Sequence, residues 1–251
     1  MNKKNVFTYI IGYRHRPDRI NLLRKTLDWI NSFSGTEVIV VEQDKHSKIS
    51  HLNLNCKHIF VESTKPYNRS WSFNIGLRYA KTDIIACGDS DLIMHPEDLI
   101  NALKETKNYE MVNPYKSVID LNPQESNLSF EKMFEINRPG RGELDHQKTN
   151  ISGGIAIFQK QALYKIGGWD ENFWDWGGED DLQTIKIENF LTYKTMDARS
   201  YHLYHARLAP DQNNYKRNLT ILSKVSEMNK DQLTNMINLS KGSIGLKNKC
   251  C

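Results

Sequence analysis

Short apolar runs rich in β-branched residues alternate with helical segments along the first part of the chain. Their length and composition predict buried strands, and the segments between them repeat apolar residues at helical spacing, as in 22–30 and 69–80. Strands that alternate with helices form βαβ units, so an α/β fold with a mostly parallel sheet is predicted. The four strand-like runs are residues 5–12, 37–42, 58–61 and 83–88.

Shorter elements are predicted in the second half of the chain, around one long polar segment. Residues 114–150 are polar and turn-rich, and a connection of this length inside a compact domain is usually functional or disordered. The other predicted elements are strands at 111–113 and 153–158 and helices from Pro96 to about Lys107, at 160–166 and from about Asp180 to Leu191.

Two polar amphipathic helices are predicted after Tyr215. One apolar stripe on them is expected to pack against the main domain. Cys250 and Cys251 are interpreted as a frayed tail with free thiols rather than as lipidation sites. The stripe consists of Leu219, Leu222, Val225 and Met228.

Length and charge restrict the function further. The 251 residues suit one sizeable domain with or without an appendage. The net charge of +4 is mild and its Lys and Arg are scattered, so nucleic acid is an unlikely partner, whereas a phosphate-bearing substrate is compatible. The apolar run after Lys4 is too short for a signal peptide or a membrane span, which predicts a cytoplasmic protein, or one that reaches a membrane only through partners.

The stretch from Phe173 to Asp181, Phe-Trp-Asp-Trp-Gly-Gly-Glu-Asp-Asp, is the most unusual in the chain. A solvated helix start explains the acids, because carboxylates favour the positive end of a helix, but it leaves the two Trp and the Gly pair unexplained. Large rings beside bare backbone indicate a platform on which a sugar stacks, and a neighbouring carboxylate can take a proton from a hydroxyl. We interpret this stretch as the floor of an active site.

Asp89-Ser90-Asp91 follows directly on a predicted buried strand. Two acids on one turn can face a divalent cation, and hard oxygen ligands suit Mn²⁺ or Mg²⁺. A turn held by Asx hydrogen bonds is the alternative. His202 and His205 are candidates to complete such a site, since imidazole suits Mn²⁺, although a surface of Tyr and His residues explains them equally well.

Basic residues follow two other predicted strands. Arg14 and Arg16 flank His15, and alternate positions of an extended segment face the same side, so their guanidinium groups are candidates for a diphosphate or nucleobase clamp. Solvated surface arginines are the alternative. Tyr67 and Arg69 add an aromatic face and a further cation after the third strand. Ligands of such sheets gather at the carboxyl ends of the strands.

In this order, the motifs resemble those of the β-1,4-galactosyltransferases and their relatives. The resemblance covers about residues 5–205, and its longest and most specific part is Trp174 to Asp181. It implies a metal-dependent inverting glycosyltransferase of the GT-A fold: a single nucleotide-binding-like domain with a mostly parallel central sheet flanked by helices. The other matching segments are Ile10 to Arg16, Tyr67-Asn68-Arg69, Asn74-Ile75-Gly76, Asp89 to Ile93, Gly153-Gly154 and Gly167-Gly168-Trp169.

The resemblance also implies a role for each matching residue. Asp180 would be the catalytic base, and Glu179 would hold the acceptor. Asp91 and His205 would ligate Mn²⁺ or Mg²⁺, with His202 where the family has a Met ligand. The donor-binding residues would be Arg14, Arg16, Tyr67, Arg69, Asp89, Gly154 and Trp176.

The chain departs from the family pattern at several positions. Gly12 replaces a Pro, which is expected to be harmless, and Asp175 replaces a Gly, which can change the acceptor side. Ile151 stands where galactose-specific members carry a Tyr near the 2-position of the sugar, a difference that resembles the N-acetylgalactosamine-using relatives. Because no stem or membrane anchor precedes the domain, a soluble bacterial or viral relative is expected.

The sequence predicts one transferase domain with a C-terminal extension. Residues 1–213 form the transferase domain, divided near 112 into a nucleotide half and an acceptor and metal half, and 214–251 form a helical extension. A UDP-sugar, with Gal or GalNAc favoured, donates to a glycan or lipid-linked saccharide. The alternatives are a retaining enzyme, because the polypeptide N-acetylgalactosaminyltransferases share the Trp-Gly-Gly-Glu segment, and a non-catalytic sugar- or nucleotide-binding module.

Overall fold

The architecture is that of a computed structural model in which residues 6–144, 150–207 and 209–247 are described. Cys250 and Cys251 lie outside these residues. The strands are Phe7–Tyr13 (β1), Thr36–Asp44 (β2), Lys57–Glu62 (β3), Ile84–Gly88 (β4), Leu92–Met94 (β5), Met111–Asn113 (β6), Ser117–Asp120 (β7), Ile155–Gln159 (β8), Tyr193–Thr195 (β9) and Arg199–His202 (β10). The helices are Ile20–Asn31 (α1), Arg69–Tyr79 (α2), Pro96–Glu105 (α3), Phe130–Phe134 (α4), Lys160–Lys165 (α5), Glu179–Phe190 (α6), Gln212–Ser226 (α7) and Lys230–Lys241 (α8).

Seven strands form the central sheet, in the order β3-β2-β1-β4-β8-β6-β9. The first four pair in parallel, β8 runs antiparallel to both β4 and β6, and β9 returns parallel to β6. The sheet is therefore mostly parallel and flanked by helices, as predicted. In this arrangement the carboxyl ends of β1, β2, β3 and β4 lie along one edge, where polar loops meet.

Both faces of this sheet are buried, which explains why β1 is apolar apart from the buried Thr8. Successive strand residues point to opposite faces. Tyr9 packs in the cluster that contains Trp29 of α1 and Leu99 of α3, whereas Ile10 packs in the cluster that contains Trp71 of α2 and Leu163 of α5. Each predicted strand of the first half thus lies in the sheet, and each predicted helix covers one of its two faces.

Helix α2 lies close against β1 because two glycines leave room for it. A Cβ at Gly76 would stand 2.3 Å from Cγ2 of Ile10, and one at Gly12 would stand 2.2 Å from the hydroxyl oxygen of Tyr67. The side chain of Asn68 accepts a hydrogen bond from the backbone N–H of Trp71 and so caps the helix. This close packing fixes the start of α2, and with it Arg69, at the carboxyl edge of the sheet.

The prediction for residues 114–150 is partly wrong. The short apolar run of β7 pairs with β10, and β5 pairs with the other side of β10, so these three strands form a second small sheet. A 3₁₀ turn and α4 follow in the same segment. Val118 and Ile119 lie between polar residues, so the sequence does not predict this strand, whose partner β10 lies about eighty residues later. Residues 138–142 are irregular, as predicted, apart from a bridge between Val118 and Arg141.

The two predicted C-terminal helices exist and pack mainly against the segment that opens α6. Val225 and Leu233 are buried with Phe173 and Leu182, and Leu222 and Met228 pack at the rim of this cluster. Leu219, the first residue of the predicted stripe, is instead 42% exposed. Over the described parts of the chain, no helix combines the length and the apolar character that crossing a membrane requires.

Candidate active site

The stretch from Phe173 to Asp181 is a tight loop that leads into α6. Gly177 and Gly178 have φ values of 104° and 90°, and Asp175 has a φ of 63°, a left-handed value that is rare outside glycine. A Cβ at Gly178 would stand 2.7 Å from the ring of the buried Phe173. The Gly pair is therefore needed to turn the chain, and the three acids that follow occupy the first turn of α6, where its dipole favours them.

Arg69 joins the two halves of the site. Its Nε donates to Oδ1 of Asp89 at 2.7 Å, and its Nη1 donates to Oδ1 of Asp180 at 2.5 Å. Only 10% of its side chain is exposed, and the guanidinium carbon lies 4.7 Å from the ring centre of Phe73. Burial opposes its charge, but the carboxylates of Asp180 and Asp89 raise the pKa of Arg69 well above its ordinary value.

Glu179 and Asp180 share a poorly solvated position. Burial raises the pKa of Glu179, and the charge of Asp180 adds to this effect. Burial also raises the pKa of Asp180, while Arg69 acts in the opposite direction. Within the described part of the chain, Oε2 of Glu179 is buried and has no hydrogen-bond partner. A carboxylate whose pKa is raised accepts a proton more readily, which is the property that a general base needs near neutral pH.

Bare backbone borders Asp180 on the side of β8. The backbone oxygen of Gly154 accepts from the N–H of Asp89 at 3.2 Å and from Nη2 of Arg69 at 3.4 Å. A Cβ at Gly153 would stand 3.5 Å from Oδ2 of Asp180, so this carboxylate lies against the Gly pair. The hydroxyl of Tyr115 donates to the backbone oxygen of Gly153 and accepts from the N–H of Ile155, which holds this backbone in place.

Asp91, His202 and His205 form a cluster suited to a metal ion. One ligand atom from each lies within 4.8 Å of the other two. Nε2 of His205 is 3.4 Å from Oδ2 of Asp91, and Nε2 of His202 is 3.8 Å from Oδ1. One carboxylate and two imidazoles are a donor set that suits Mn²⁺. The cluster adjoins Arg69, because Asp89 and Asp91 lie on the same turn after β4.

Both histidines point Nε2 toward Asp91 because their other ring nitrogen is engaged. Nδ1 of His202 donates to Oδ1 of Asp120 at 3.0 Å, and Nδ1 of His205 donates to the backbone oxygen of Ala206 at 3.1 Å. This bond from His202 lowers the pKa of Asp120 to about 2. Burial lowers the pKa of His205, which favours the neutral form that binds metals. Such supporting bonds are typical of metal-ligating histidines.

Arg19 is a neighbour of this cluster that sequence reasoning missed. Its Nη1 donates to Oδ2 of Asp91. The residue directly precedes α1 and completes the basic series of Arg14, Arg16 and Arg19 after β1, and this series was the available signal. Asp120 and Tyr115 were also missed. Both lie in the polar segment that we expected to be a loop, and neither has a motif around it.

The predicted donor arginines make other contacts. Arg14 donates to the backbone oxygens of Gln43, Lys65 and Ser63, at 2.8, 2.6 and 3.3 Å. Arg16 pairs with Asp18 at 2.9 Å. Arg14 thus ties the end of β2 and the loop after β3 to the end of β1, and a contact of either arginine with a donor stays a prediction.

The other predicted donor residues line the loop or its surroundings. Tyr67 lies over Gly12, where the absence of a side chain leaves room for its hydroxyl. The backbone oxygen of Tyr67 accepts from the N–H of Asp175 at 2.7 Å. Trp176 is 62% exposed, and Ile151 is half-buried at the rim of the core cluster around α2. Their contacts with a sugar stay predictions.

Two family profiles match the chain. The profile of glycosyl transferase family 2 matches residues 18–167, and that of the N-terminal domain of galactosyltransferase matches residues 143–206. The first match covers more than half of the chain and includes Arg69, Asp89 and Asp91. The second includes Asp180, His202 and His205.

Curated relatives are similar over part of their length. The chain is 29% identical over 134 residues to β-1,4-galactosyltransferase 5 of Danio rerio, an alignment that covers 52% of this chain and 28% of the relative. It is 25% identical over 183 residues to chondroitin synthase of Escherichia coli, covering 58% of this chain and 26% of the relative. The chain spans less than half of the length of the curated relatives that it matches.

Solved structures share the fold over most of the chain. A variant of Drosophila β-1,4-galactosyltransferase 7 in complex with manganese, UDP-Gal and xylobiose aligns with a TM-score of 0.54, at 14% identity, over 85% of this chain and 79% of that one. GalNAc-T7 with UDP, GalNAc and Mn²⁺ aligns with a TM-score of 0.62, at 13% identity, over 96% of this chain and 51% of that one. These likenesses confirm the GT-A fold.

Proposed function

The chain belongs to glycosyl transferase family 2 and has the GT-A fold, and from this premise we propose that it is a metal-dependent inverting glycosyltransferase. It transfers a hexose or N-acetylhexosamine, with Gal or GalNAc favoured, from a UDP-sugar to a glycan hydroxyl. Residues 1–213 carry the reaction and 214–251 form the helical extension. The proposed setting is the cytoplasm, with a glycan or a lipid-linked saccharide as the acceptor.

The observation that carries this proposal is the link between the metal cluster and a partly buried carboxylate pair. Arg69 connects Asp89, two residues from Asp91, with Asp180 at the start of α6. A leaving diphosphate needs cations, and an attacking hydroxyl needs a base. Groups suited to both tasks lie around the side chain of Arg69. The matching fold and the complexes of related proteins with Mn²⁺ and UDP support the same reaction class.

In the proposed reaction, Asp180 accepts the proton of the acceptor hydroxyl while the oxygen of that hydroxyl attacks the anomeric carbon of the donor sugar. The bond from that carbon to the UDP oxygen breaks on the opposite face, and UDP leaves with the electron pair. Glu179, whose Oε2 has no hydrogen-bond partner among the described residues, holds the acceptor. Asp91, His202 and His205 would hold Mn²⁺, which supplies Lewis-acid stabilisation of the negative charge on the leaving group.

A retaining reaction is the second candidate. GalNAc-T7 aligns over 96% of the chain, and the Trp-Gly-Gly-Glu segment is common to both kinds of enzyme. Asp180 favours inversion, because it provides a carboxylate where the retaining enzymes carry Asn. The anomeric configuration of the product, measured by NMR, distinguishes the two reactions: a retained configuration would contradict the proposal.

Donor hydrolysis tests the proposal without knowledge of the acceptor. The chain is incubated with UDP-Gal, UDP-GalNAc, UDP-Glc or UDP-GlcNAc, in MnCl₂ or EDTA, and released UDP is measured. We expect release that depends on Mn²⁺ and is fastest with UDP-Gal or UDP-GalNAc. Asp91→Ala should abolish it, because the substitution removes the carboxylate of the metal cluster.

Asp197→Ala is the matched control, because this carboxylate is 85% exposed and pairs with Lys116 away from the cluster. It should release UDP at the wild-type rate. Failure to release UDP from any of the four donors would contradict a catalytic function and favour a sugar- or nucleotide-binding module.

A further inference from the structure

Trp176 stacks on a ring that comes from the C-terminal helices. The centroids of Trp176 and Tyr215 are 5.6 Å apart and the planes differ by 28°. Trp176 nevertheless stays 62% exposed, so the pair presents a broad aromatic surface to solvent. Tyr215 lies beyond both family profiles, which end at residues 206 and 167. This part of the surface is therefore a contribution of the chain's own C-terminal segment.

Helix α7 is fastened to the loop that carries Trp176. Nδ2 of Asn218 donates to the backbone oxygens of Trp174 and Trp176, at 2.8 and 3.3 Å. The N–H of Asp211 donates to Oδ2 of Asp175 at 3.2 Å. A Cβ at Gly177 would stand 3.1 Å from the ring of Tyr215, so this ring lies directly on the backbone of the loop. The stack is thus held from both sides.

A groove of about 510 Å³ lies between α6 and α7. Leu219 and Leu222 line it, four and seven residues after Tyr215, so the three residues share one face of α7. This position explains why Leu219 is exposed rather than packed against the domain. The polar side chains that line the groove belong to Asp181, Thr184, Ser223 and Ser226.

We propose that the Trp176–Tyr215 stack and this groove form a second saccharide subsite, which binds an acceptor of two or more sugar units. The inference rests on the proposed glycosyl transfer and adds the size of its acceptor. Trp176, on which Tyr215 stacks, lies in the loop that leads directly into the helix turn of Asp180, so a saccharide whose terminal unit lies at this loop can extend over Tyr215.

The lining favours a saccharide over an apolar ligand. Sugar rings combine apolar faces, which stack on aromatic rings, with hydroxyls that need hydrogen-bond partners. The groove offers both, since it is lined by the hydroxyls of Ser223 and Ser226 and the carboxylate of Asp181 together with Leu219 and Leu222.

The test compares oligosaccharides with their own terminal monosaccharides. The labelled full chain, with MnCl₂ and UDP, is applied to an array of mono- to hexasaccharides, and dissociation constants are then measured for the best oligosaccharide and its terminal unit. We expect tighter binding of the oligosaccharide. Tyr215→Ala should weaken that binding roughly three- to tenfold and leave the monosaccharide unaffected, because one aromatic stacking contact is lost.

Three further variants complete the test. Tyr215→Phe should retain oligosaccharide binding, because it keeps the ring, and Tyr193→Ala, an exposed tyrosine of β9, should also retain it. Ser223→Trp, at an exposed position, should fill the groove and weaken binding even if Tyr215→Ala does not fold. Equal affinity for both lengths, or wild-type affinity of Tyr215→Ala or Ser223→Trp, would overturn the inference.

Donor hydrolysis separates this inference from the proposed function. Release of UDP from a UDP-sugar is measured on the wild-type chain, so this readout does not depend on any substitution in the subsite. If the chain hydrolyses the donor but Tyr215→Ala binds oligosaccharides with wild-type affinity, the subsite is contradicted and the transferase proposal stands. If Tyr215→Ala weakens oligosaccharide binding but no donor is hydrolysed, the transferase proposal is contradicted and the saccharide subsite stands.

Discussion

Arg69 controls the charge of the site at the scale of single residues. It is an almost fully buried cation, and it tolerates this position because carboxylates lie on two of its nitrogens. Removing one partner of such a buried ion pair typically costs about 3–5 kcal/mol. Arg69 also stabilises the ionised form of Asp180 and so opposes burial, which raises the pKa of this carboxyl group. The ionisation of the proposed base thus depends on a residue from the other half of the chain.

This arrangement predicts the pH dependence of transfer. Asp180 must be ionised to accept a proton, and burial raises its pKa above that of an exposed aspartate. Transfer should therefore fall as the pH is lowered through this raised pKa, well above about pH 4, where an ordinary aspartate titrates. The measurement is kcat/KM for transfer as a function of pH, with bound Mn²⁺ verified at each pH.

Asp180→Asn is the variant for that profile. It removes the base but keeps the shape of the side chain, so transfer should fall about 10²- to 10⁴-fold. Mn²⁺-dependent UDP binding should persist, because Asp91, His202 and His205 are unchanged. Turnover at the wild-type rate would contradict the assignment of Asp180 as the base.

The residues that the sequence predicted best are those inside recognisable motifs. Asp91, His202 and His205 meet as predicted, since the order of strands brings their loops to one edge. Arg19, Asp120 and Tyr115 were missed because each acts through a contact with a residue far away in the chain. Nothing in the local pattern distinguishes Asp120 from a surface acid until β7 and β10 are paired.

At the scale of elements, the loop before α6 explains an unusual residue choice. Asp175 stands where the resembling family carries a Gly, and its φ of 63° explains why Gly suits the position. Asp is one of the few other residues that tolerate this conformation. Its carboxylate also accepts the N–H of Asp211, so the same residue ties the loop to the start of α7.

Asp175→Ala should therefore destabilise the protein. An alanine pays roughly 1–2 kcal/mol for the left-handed conformation, and the bond to Asp211 is lost as well. Asp175→Gly should cost less, because glycine adopts this φ without strain. The measurement is the free energy of unfolding in urea. A smaller loss for Ala than for Gly would contradict this account of the loop.

Elements with a strong hydrophobic period were predictable, and elements defined by their partner were not. The apolar runs of β1, β2 and β4 leave no alternative to a buried strand. The run Ser117-Val118-Ile119-Asp120 is too short and too polar to be recognised before β10 supplies its hydrogen bonds. Bounds of α2 and α3 agree with prediction within about two residues, because Asn68 and Pro96 mark their starts.

At the scale of the whole molecule, the C-terminal helices are part of the structure around the site. Nε1 of Trp71 donates to the backbone oxygen of Leu246 at 2.9 Å, and the N–H of Gly245 donates to Oε1 of Glu171 at 2.6 Å. The chain after α8 thus returns to α2, which carries Arg69. Sequence reasoning found the helices but not these contacts, since backbone acceptors leave no pattern.

The tail and the sheet should consequently unfold together. Leu233→Ala, in the cluster with Phe173 and Leu182, should lower the free energy of unfolding by about 2–5 kcal/mol. Leu239→Ala, at a residue that is 85% exposed, should change it by less than about 0.5 kcal/mol. Circular dichroism and tryptophan fluorescence should report one coincident transition. A separate early transition of the helices would contradict this integration.

The ion pair between Arg69 and Asp180 has a consequence for biosynthesis, because the two residues are 111 positions apart. A ribosome that adds about 5–20 residues per second needs roughly 6–22 s to move from one to the other. During that interval α2 is already made, but its arginine has no second carboxylate and stays hydrated. The segment that carries β1 to β6 therefore emerges first without Asp180, and a nascent chain acquires the complete charge pattern only after α6 has followed.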